Sequence, residues 1–234
     1  VMLTASAPGF TSGSALLLVT DINLPDLAVV EVAGPAAVFT GQPVPLSFRV
    51  ENRGLAPLTN AVRQRVFLSR DPFVGEDTIA GEQLLNPAPG GGLAPGQSFA
   101  GTITYIPPDN FAGQFWVVVT TDASKVANEL DEDNNAGVSA VPIQINPSYS
   151  ATVVAEPTVA PAGTPITLRG LVTSANGSPV EGRPVNLHLC VRGVQRVLAA
   201  IVGADGTFET IFTPLPGEAG HYSVHATHPG QGPP

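Results

Sequence analysis

Residues Pro43–Asn52 read PVPLSFRVEN, and the reading of this stretch decides the fold. Leu46, Phe48 and Val50 fall on one side of an extended chain, and Ser47, Arg49 and Glu51 on the other. Side chains of a strand alternate between its two faces, so this is the pattern of a strand with one face in a core and one in water. The same grammar runs outward on both sides: DLAVVEV before it, then RQRVFLS, DTIAGEQLL, SFAGTITYIP, GQFWVVVTTD and VSAVPIQI after it. In GQFWVVVTTD, Phe115 and Trp116 fall on opposite faces, yet both faces are apolar, as expected of a central strand. About seven strands at this spacing predict an antiparallel sandwich.

A second series follows from residue 147: ATVVAEP, TPITLRGLVT, PVNLHLCVRG, RVLAAIVG, TFETIFTP and HYSVHATHP. Asn176-Gly177 and Asp205-Gly206 mark turns and are the residue pairs favoured in hairpins. The expected fold is therefore all-β: tandem immunoglobulin-like antiparallel β-sandwiches joined by short linkers, at residues 25–146 and 147–234. Asn146–Ser148, NPS, reads as a hinge between them. Residues 1–24 read as the last hairpin of a preceding β-module plus a linker at Asn23–Pro25. The sequence begins mid-pattern, so any targeting signal is expected upstream, and HPGQGPP at the other end is expected to cut the second sandwich before its last strand.

Composition agrees. The chain has 24 prolines and 25 glycines, about a fifth of its 234 residues, which suits many short strands joined by tight turns. Hydrophobic residues make 43% of the chain, enough for packed cores despite only 12% charged residues. The net charge of −9 is concentrated in residues 25–146, which carry 13 acidic and 6 basic side chains. No basic patch exists to neutralise phosphates, which argues against nucleic acid. No apolar run approaches the roughly 18 residues of a membrane-spanning helix. Cys190 stands alone, so no intrachain disulfide forms.

Glu129–Asn135, ELDEDNN, is the densest polar cluster. A hard cation such as calcium takes about six to eight oxygen ligands, and such a loop supplies several. Asp122 opens the loop, and a second acidic loop offers Asp71, Glu76 and Asp77. The candidate calcium ligands are thus Asp71, Asp77, Asp122, Glu129, Asp131, Glu132 and Asp133. EF-hand spacing is absent, and the alternative is an acidic hairpin in which Asn134 and Asn135 form the turn. His221, His225 and His228 do not form a zinc site on a strand, because the first two lie about 13 Å apart and the third points to the opposite face. They are expected to face solvent. Cys190 and His188 share a side of their strand, but no third group orients them for catalysis. There is no Gly-x-Ser-x-Gly elbow and no phosphate-binding Gly-rich loop. Lys125 sits in an acidic loop, unsuited to an isopeptide crosslink, and Asn176-Gly177-Ser178 is formally a glycosylation sequon followed by Pro179.

PDLAVVEV, VENRG, VFLSRD, GEDTIAG, LAPGQS and VVTTDASKVANELDEDNN together resemble the CARDB domain, the cell-adhesion-related domain found in bacteria, over residues 25–146. Its most specific marks fall on Ser69 and Asp71 and on Glu129, Glu132, Asn134 and Asn135. The resemblance implies an immunoglobulin-like sandwich in large secreted proteins, often in tandem, with no enzymatic activity of its own. Residues 147–234 resemble bacterial Ig-like or fibronectin-like modules, and there Tyr222 is the candidate for a corner tyrosine bonding back to the main chain. The expected function is a non-catalytic structural or adhesive segment of a large secreted or cell-surface bacterial protein: a stalk, sheath or fibre. Calcium at the acidic loops and self-assembly with neighbouring domains or subunits, homo-oligomeric or fibrous, complete that expectation. The alternative is a glycan- or protein-binding accessory module of an extracellular enzyme, which would use exposed aromatics such as Tyr105 or Trp116.

Overall fold

The structure is a computed structural model and describes residues 2–5, 8–9, 13–16, 23–75, 77–87 and 92–233. It contains strands and no helix among those residues. The first two strands, β1 (Met2–Ala5) and β2 (Gly13–Leu16), pair antiparallel as a two-stranded sheet joined to no other.

The first sandwich packs two sheets. One is β3 (Leu27–Ala33), β5 (Val44–Asn52) and β8 (Ser98–Tyr105), in that order. The other runs β4 (Ala37–Phe39), β11 (Ile143–Asn146), β9 (Gly113–Thr120), β6 (Val62–Ser69) and β7 (Thr78–Leu85), with β10 (Ala136–Val138) also pairing β9. All pairings are antiparallel except β4 with β11, which is parallel. The alternation in PVPLSFRVEN holds: Leu46, Phe48 and Val50 join Phe115, Val117, Val119, Ile143 and Ile145 in one core, while Ser47 faces water. Phe115 and Trp116 lie on opposite faces, Phe115 buried and Trp116 half-buried.

The second sandwich faces β12 (Tyr149–Ala151), β13 (Val154–Glu156), β14 (Ile166–Ser174) and β17 (Thr207–Phe212) against β16 (Val194–Ile201), β15 (Pro184–Val191) and β18 (Ser223–Thr227). Its core is separate, built on Tyr149, Leu168, Leu187, Leu189, Phe208 and Phe212.

The turn readings need correction. Gly177 and Gly206 do take positive φ, near 78° each, but Asn176-Gly177 links β14 to β15 and Asp205-Gly206 links β16 to β17. Each pair of strands lies in different sheets, so these are crossovers and not hairpins. The tight hairpin is Arg192-Gly193 between β15 and β16, where φ is 49° and 80°. Positive φ at both central residues is the demand of a type I′ turn, whose twist matches its strands.

Candidate functional site

The acidic loop runs from the end of β9 to the start of β10 and is built inward, not outward. Asp122 is buried, with φ at 40°; its two carboxylate oxygens accept the N–H groups of Val126 and Ala127 at 3.0 and 2.8 Å. Glu129 is 7% exposed, and its Oε2 accepts the N–H of Leu27 at 2.5 Å. Leu27 opens β3, 102 residues earlier in the chain. Glu129 Oε1 accepts a bond from Asn135 Nδ2 at 3.0 Å, and Asn134 Nδ2 donates to Asp26 Oδ1 at 2.7 Å. The main chain adds Leu130 N–H to Pro25 C=O at 2.9 Å and Thr121 N–H to Asn135 C=O at 2.8 Å. ELDEDNN therefore buckles the first strand of the sandwich to the entrance of its last ones. The supposed linker at Asn23–Pro25 is pinned too, because Leu24 C=O accepts the N–H groups of Leu55 and Ala56.

Burial pushes the Glu129 carboxyl up to about 7, against the pull of its bonds from Leu27 and Asn135; the charges of Glu132 and Asp122 push the same way as burial. Asn135 Oδ1 is buried without a partner, and a protonated Glu129 would supply one if the amide turned over.

The remaining candidate ligands are spent locally or face water. Asp131 accepts the N–H of Asp133 at 2.9 Å, and Asp131, Glu132 and Asp133 are exposed. In the other acidic loop, Asp71 accepts the N–H of Phe73 at 3.1 Å and Asp77 that of Gly75 at 3.2 Å. Glu76 lies outside the described residues. Among the described residues, no three His, Cys, Asp or Glu side chains converge into a group that could hold a metal ion.

A second polar cluster, which the sequence reading missed, joins the two sandwiches. His228 is fully buried, which corrects the expectation of three solvent-facing histidines; His221 and His225 are exposed as expected. His228 falls on the same side as Val224 and Ala226, so continued alternation already turns it inward, and Pro229-Gly230 then lays the chain on the first sandwich. Gly230 N–H donates to His228 Nδ1 at 3.1 Å, leaving Nε2 to carry the proton and donate to Thr40 Oγ1 at 3.1 Å. Thr40 donates in turn to Ser148 Oγ at 3.0 Å and accepts Ser148 N–H at 3.2 Å. The Thr40 hydroxyl is thus fully occupied. Burial holds the His228 imidazole below the usual histidine range; the Asp109 carboxylate, 3.8 Å away, opposes this and Arg183 reinforces it.

Arg183 Nη1 reaches both oxygens of Asp109, at 3.0 and 3.2 Å. A Cβ on Gly230 would stand 2.6 Å from Ala112 Cβ and 2.8 Å from Asp109 O, so the tail lies directly on the first sandwich. Tyr149 is buried against the His228 ring at 4.3 Å and donates its hydroxyl to Pro184 C=O. NPS is therefore no free hinge: Ser148 and Tyr149 are buried, and Ser148, Arg183, His228 and Gly230 each contact the first sandwich.

His188 Nε2 is 2.9 Å from Thr227 Oγ1, while Cys190 stands opposite Gln195 and Ser223 in register. Tyr222 donates its hydroxyl to the main-chain carbonyl of Glu218 at 3.2 Å, the bond expected of a corner tyrosine.

An all-β sandwich with the acidic loop ahead of its closing strands is the architecture expected from the resemblance, and the clasp onto the first strand is what the structure adds. The CARDB family model matches residues 24–139, and this part of the chain is a CARDB domain. The chain is similar in structure to the CARDB domain of a Pyrococcus furiosus protein solved in complex with di-metal ions, at 21% identity over 54% of this chain and 98% of that one, with a TM-score of 0.42. It is also similar to a tetra-tandem repeat from the extending region of a large adhesion protein, at 14% identity over 96% of this chain and 54% of that one (TM-score 0.35). A third similar structure is the Escherichia coli adhesin FdeC, at 15% identity over 94% of this chain and 64% of that one (TM-score 0.32). None of the curated proteins matches the sequence.

Proposed function

We propose that the chain is a non-catalytic, adhesion-related structural segment of a large bacterial secreted or cell-surface protein, in which two sandwiches act as one stiff spacer. The observation that carries this reading is the buried polar junction. Thr40, Ser148 and His228 are each less than 5% exposed and bonded in series, and the Asp109–Arg183 pair stands beside them. Buried polar groups tolerate little displacement, because any shift leaves a donor or acceptor unpaired at a cost of about 1–3 kcal/mol. Two domains joined this way hold one relative orientation, whereas a polar interface wet throughout would let them swing.

Aromatic placement does not favour the accessory-module reading. Tyr105 packs edge-on against Phe111 at 6.1 Å beside the core, and Trp116 is half-buried in the middle of its sheet. Small-angle scattering and residual dipolar couplings test the spacer. A single interdomain orientation is expected for the wild type, and a broad distribution for the double variant D109A/R183A. A wild type that already samples a broad distribution would sink the stiff-spacer reading. Saturable glycan binding lost on Trp116→Ala would favour the accessory module.

A further inference from the structure

β16 is a free sheet edge inside the second sandwich. It pairs β15 along its whole length and nothing on its other side among the described residues. The chain enters it from β15 and leaves it for β17 of the facing sheet, and both neighbours are in place. In a two-residue hairpin the residues flanking the turn exchange both main-chain bonds, so Val194 bonds to Val191 and the even-numbered residues of β16 bond to β15. Val202 keeps that parity and donates its N–H to Arg183 C=O at 3.0 Å. The main-chain N–H and C=O groups of Gln195, Val197, Ala199 and Ile201 therefore point away from β15, with no main-chain partner among the described residues.

Other edges carry features that discourage pairing. β3 has a register break after Val29 and an acid at Glu31, and β7 has a break opposite Val66 and Phe67 and an acid at Glu82. β13 is three residues long and ends in Glu156 before Pro157. β16 has no bulge, no proline and no free charge. Its one charged residue, Arg196, turns inward to pair with Glu218 and lies over the Phe212 ring. On its outer face stand Val197, Ala199 and Ile201, with Val197 55% and Ile201 61% exposed. The β15 residues beside these three are His188, Asn186 and Pro184, so the outer face there carries no formal charge at neutral pH.

We propose that this edge pairs with β16 of a second copy of the chain, antiparallel across a two-fold axis at Leu198. One register uses every free edge group: Gln195 meets Ile201 of the second copy and Val197 meets its Ala199, each contact occurring twice by symmetry. A slip of two residues would leave one edge residue of each strand without a partner. Charge fits the same register. Arg196 comes opposite Ala200, so no like charges meet within the strands. Arg192, exposed in the turn before β16, is carried to the far end of the second copy's strand, where Asp205 and Glu181 are exposed, and the reverse holds at the other end. Gly182 N–H, bonded to Val202 C=O at 2.8 Å, places Glu181 there. The contact is isologous and closes as a dimer. It joins two chains side by side, goes beyond the single spacer proposed above, and does not depend on how stiff that spacer is.

The test uses the whole chain. Sedimentation from about 1 μM to about 1 mM should show monomer passing to dimer, with the midpoint reporting the affinity. Amide hydrogen exchange over the same range should show the N–H groups of Gln195, Val197, Ala199 and Ile201 gaining protection together as concentration rises. Those of Arg196, Leu198 and Ala200, already bonded to β15, should be protected throughout. Val197→Lys places a charge on each side of the axis through a side chain that already meets water, and should weaken the dimer at least tenfold. Leu171→Lys, the same change at an exposed residue of the facing sheet, should leave the dimer intact. A chain that stays monomeric with the four amides unprotected at every concentration would overturn the proposal. So would a dimer in which those amides exchange freely, or one that Val197→Lys leaves unchanged. The exchange pattern of the unaltered chain decides the matter even where the variant fails to fold.

Discussion

The two sandwiches are built on one plan and differ in how their last sheet is closed. In the CARDB domain, the chain leaves β9, passes through the acidic clasp and returns as β10 and β11 to cover the edge of β9. Phe115, Val117, Val119, Ile143 and Ile145 are all at most 1% exposed there. In the second sandwich, β18 occupies the place of β9, and its inward residues Val224 and Ala226 stay half-buried. β18 alternates cleanly, whereas β9 is apolar on both faces, with Val117, Val118 and Val119 all buried. The neighbours differ too: among the described residues β9 is flanked by β6 on one side and β10 and β11 on the other, while β18 pairs β15 alone and leaves a seam along its other edge, so composition and edge closure together set how fully each strand is buried.

Core substitutions sharpen that contrast most. Ile143→Ala removes a buried side chain from the closing strand and should cost about 2–5 kcal/mol in urea unfolding. Val224→Ala, on the open seam, should cost about 1 kcal/mol or less, since its side chain already meets solvent. Equal losses would break the comparison, because they would mean that the seam packs as tightly as the closed core.

The pH response should separate the halves next. With its folded carboxyl near 7, Glu129 holds a proton that the unfolded chain, near the ordinary 4.5, has already released. Stability of the CARDB domain therefore falls as pH rises from about 5 to about 7.5, by no more than about 3 kcal/mol at 1.36 kcal/mol per pKa unit. Glu129→Gln keeps an oxygen for the Leu27 N–H and removes the ionisation, so its melting temperature should be flat across that window and above that of the wild type at pH 8. His228 acts with the opposite sign. Below 6.5 the unfolded chain takes a proton that the buried imidazole resists, so the junction loses stability as pH falls. Asp109 and Arg183 face that ring with opposite charge, and Asp109→Asn should deepen the loss, since it removes the one group that favours the imidazolium.

A smaller effect is expected from the ion pair itself. Arg183→Met keeps much of the aliphatic stem and leaves Asp109 without its guanidinium, at a cost of about 1–2 kcal/mol for a partly exposed pair. The loss should appear in the coupling between the two unfolding transitions, with little change in the midpoint of the CARDB core.

Much of this was legible in the sequence. Period-two runs such as LSFRVEN named the strands and the core face because half-buried strands must alternate. The acidic motif marked the approach to the last strands of the first sandwich. What the sequence concealed were contacts with no local signature. Glu129 reads as one more surface acid, yet its partner is a main-chain N–H 102 residues away. His228 has the parity of Val224 and Ala226, which could have marked it as inward, but nothing local shows that it meets Thr40 of the other sandwich, and only the Pro-Gly that follows hints that the chain turns there. Asp109 and Arg183 are 74 residues apart in different sandwiches, and no spacing rule pairs them. Asn176-Gly177 misled in the other direction, because the dipeptide reports a backbone conformation and not which strands it joins.

Calcium should have the smallest effect of all. A bound hard cation needs about six to eight oxygens around it, and carboxylates already committed elsewhere must be withdrawn to supply them. Asp122 holds two main-chain N–H groups, and Glu129 holds the start of β3, so recruiting either unbuckles the clasp. Within this loop Asp131, Glu132 and Asp133 are the exposed acids, and three solvated carboxylates on one short turn attract a cation mainly through screened charge. Thermal melts in millimolar calcium and in EDTA should therefore agree to within about 2 °C, which for a domain of this size corresponds to roughly 0.5 kcal/mol. A rise of several degrees, abolished by D131N/D133N, would mean that the loop reorganises around the ion, and the clasp drawn here would be one of two states of the CARDB domain.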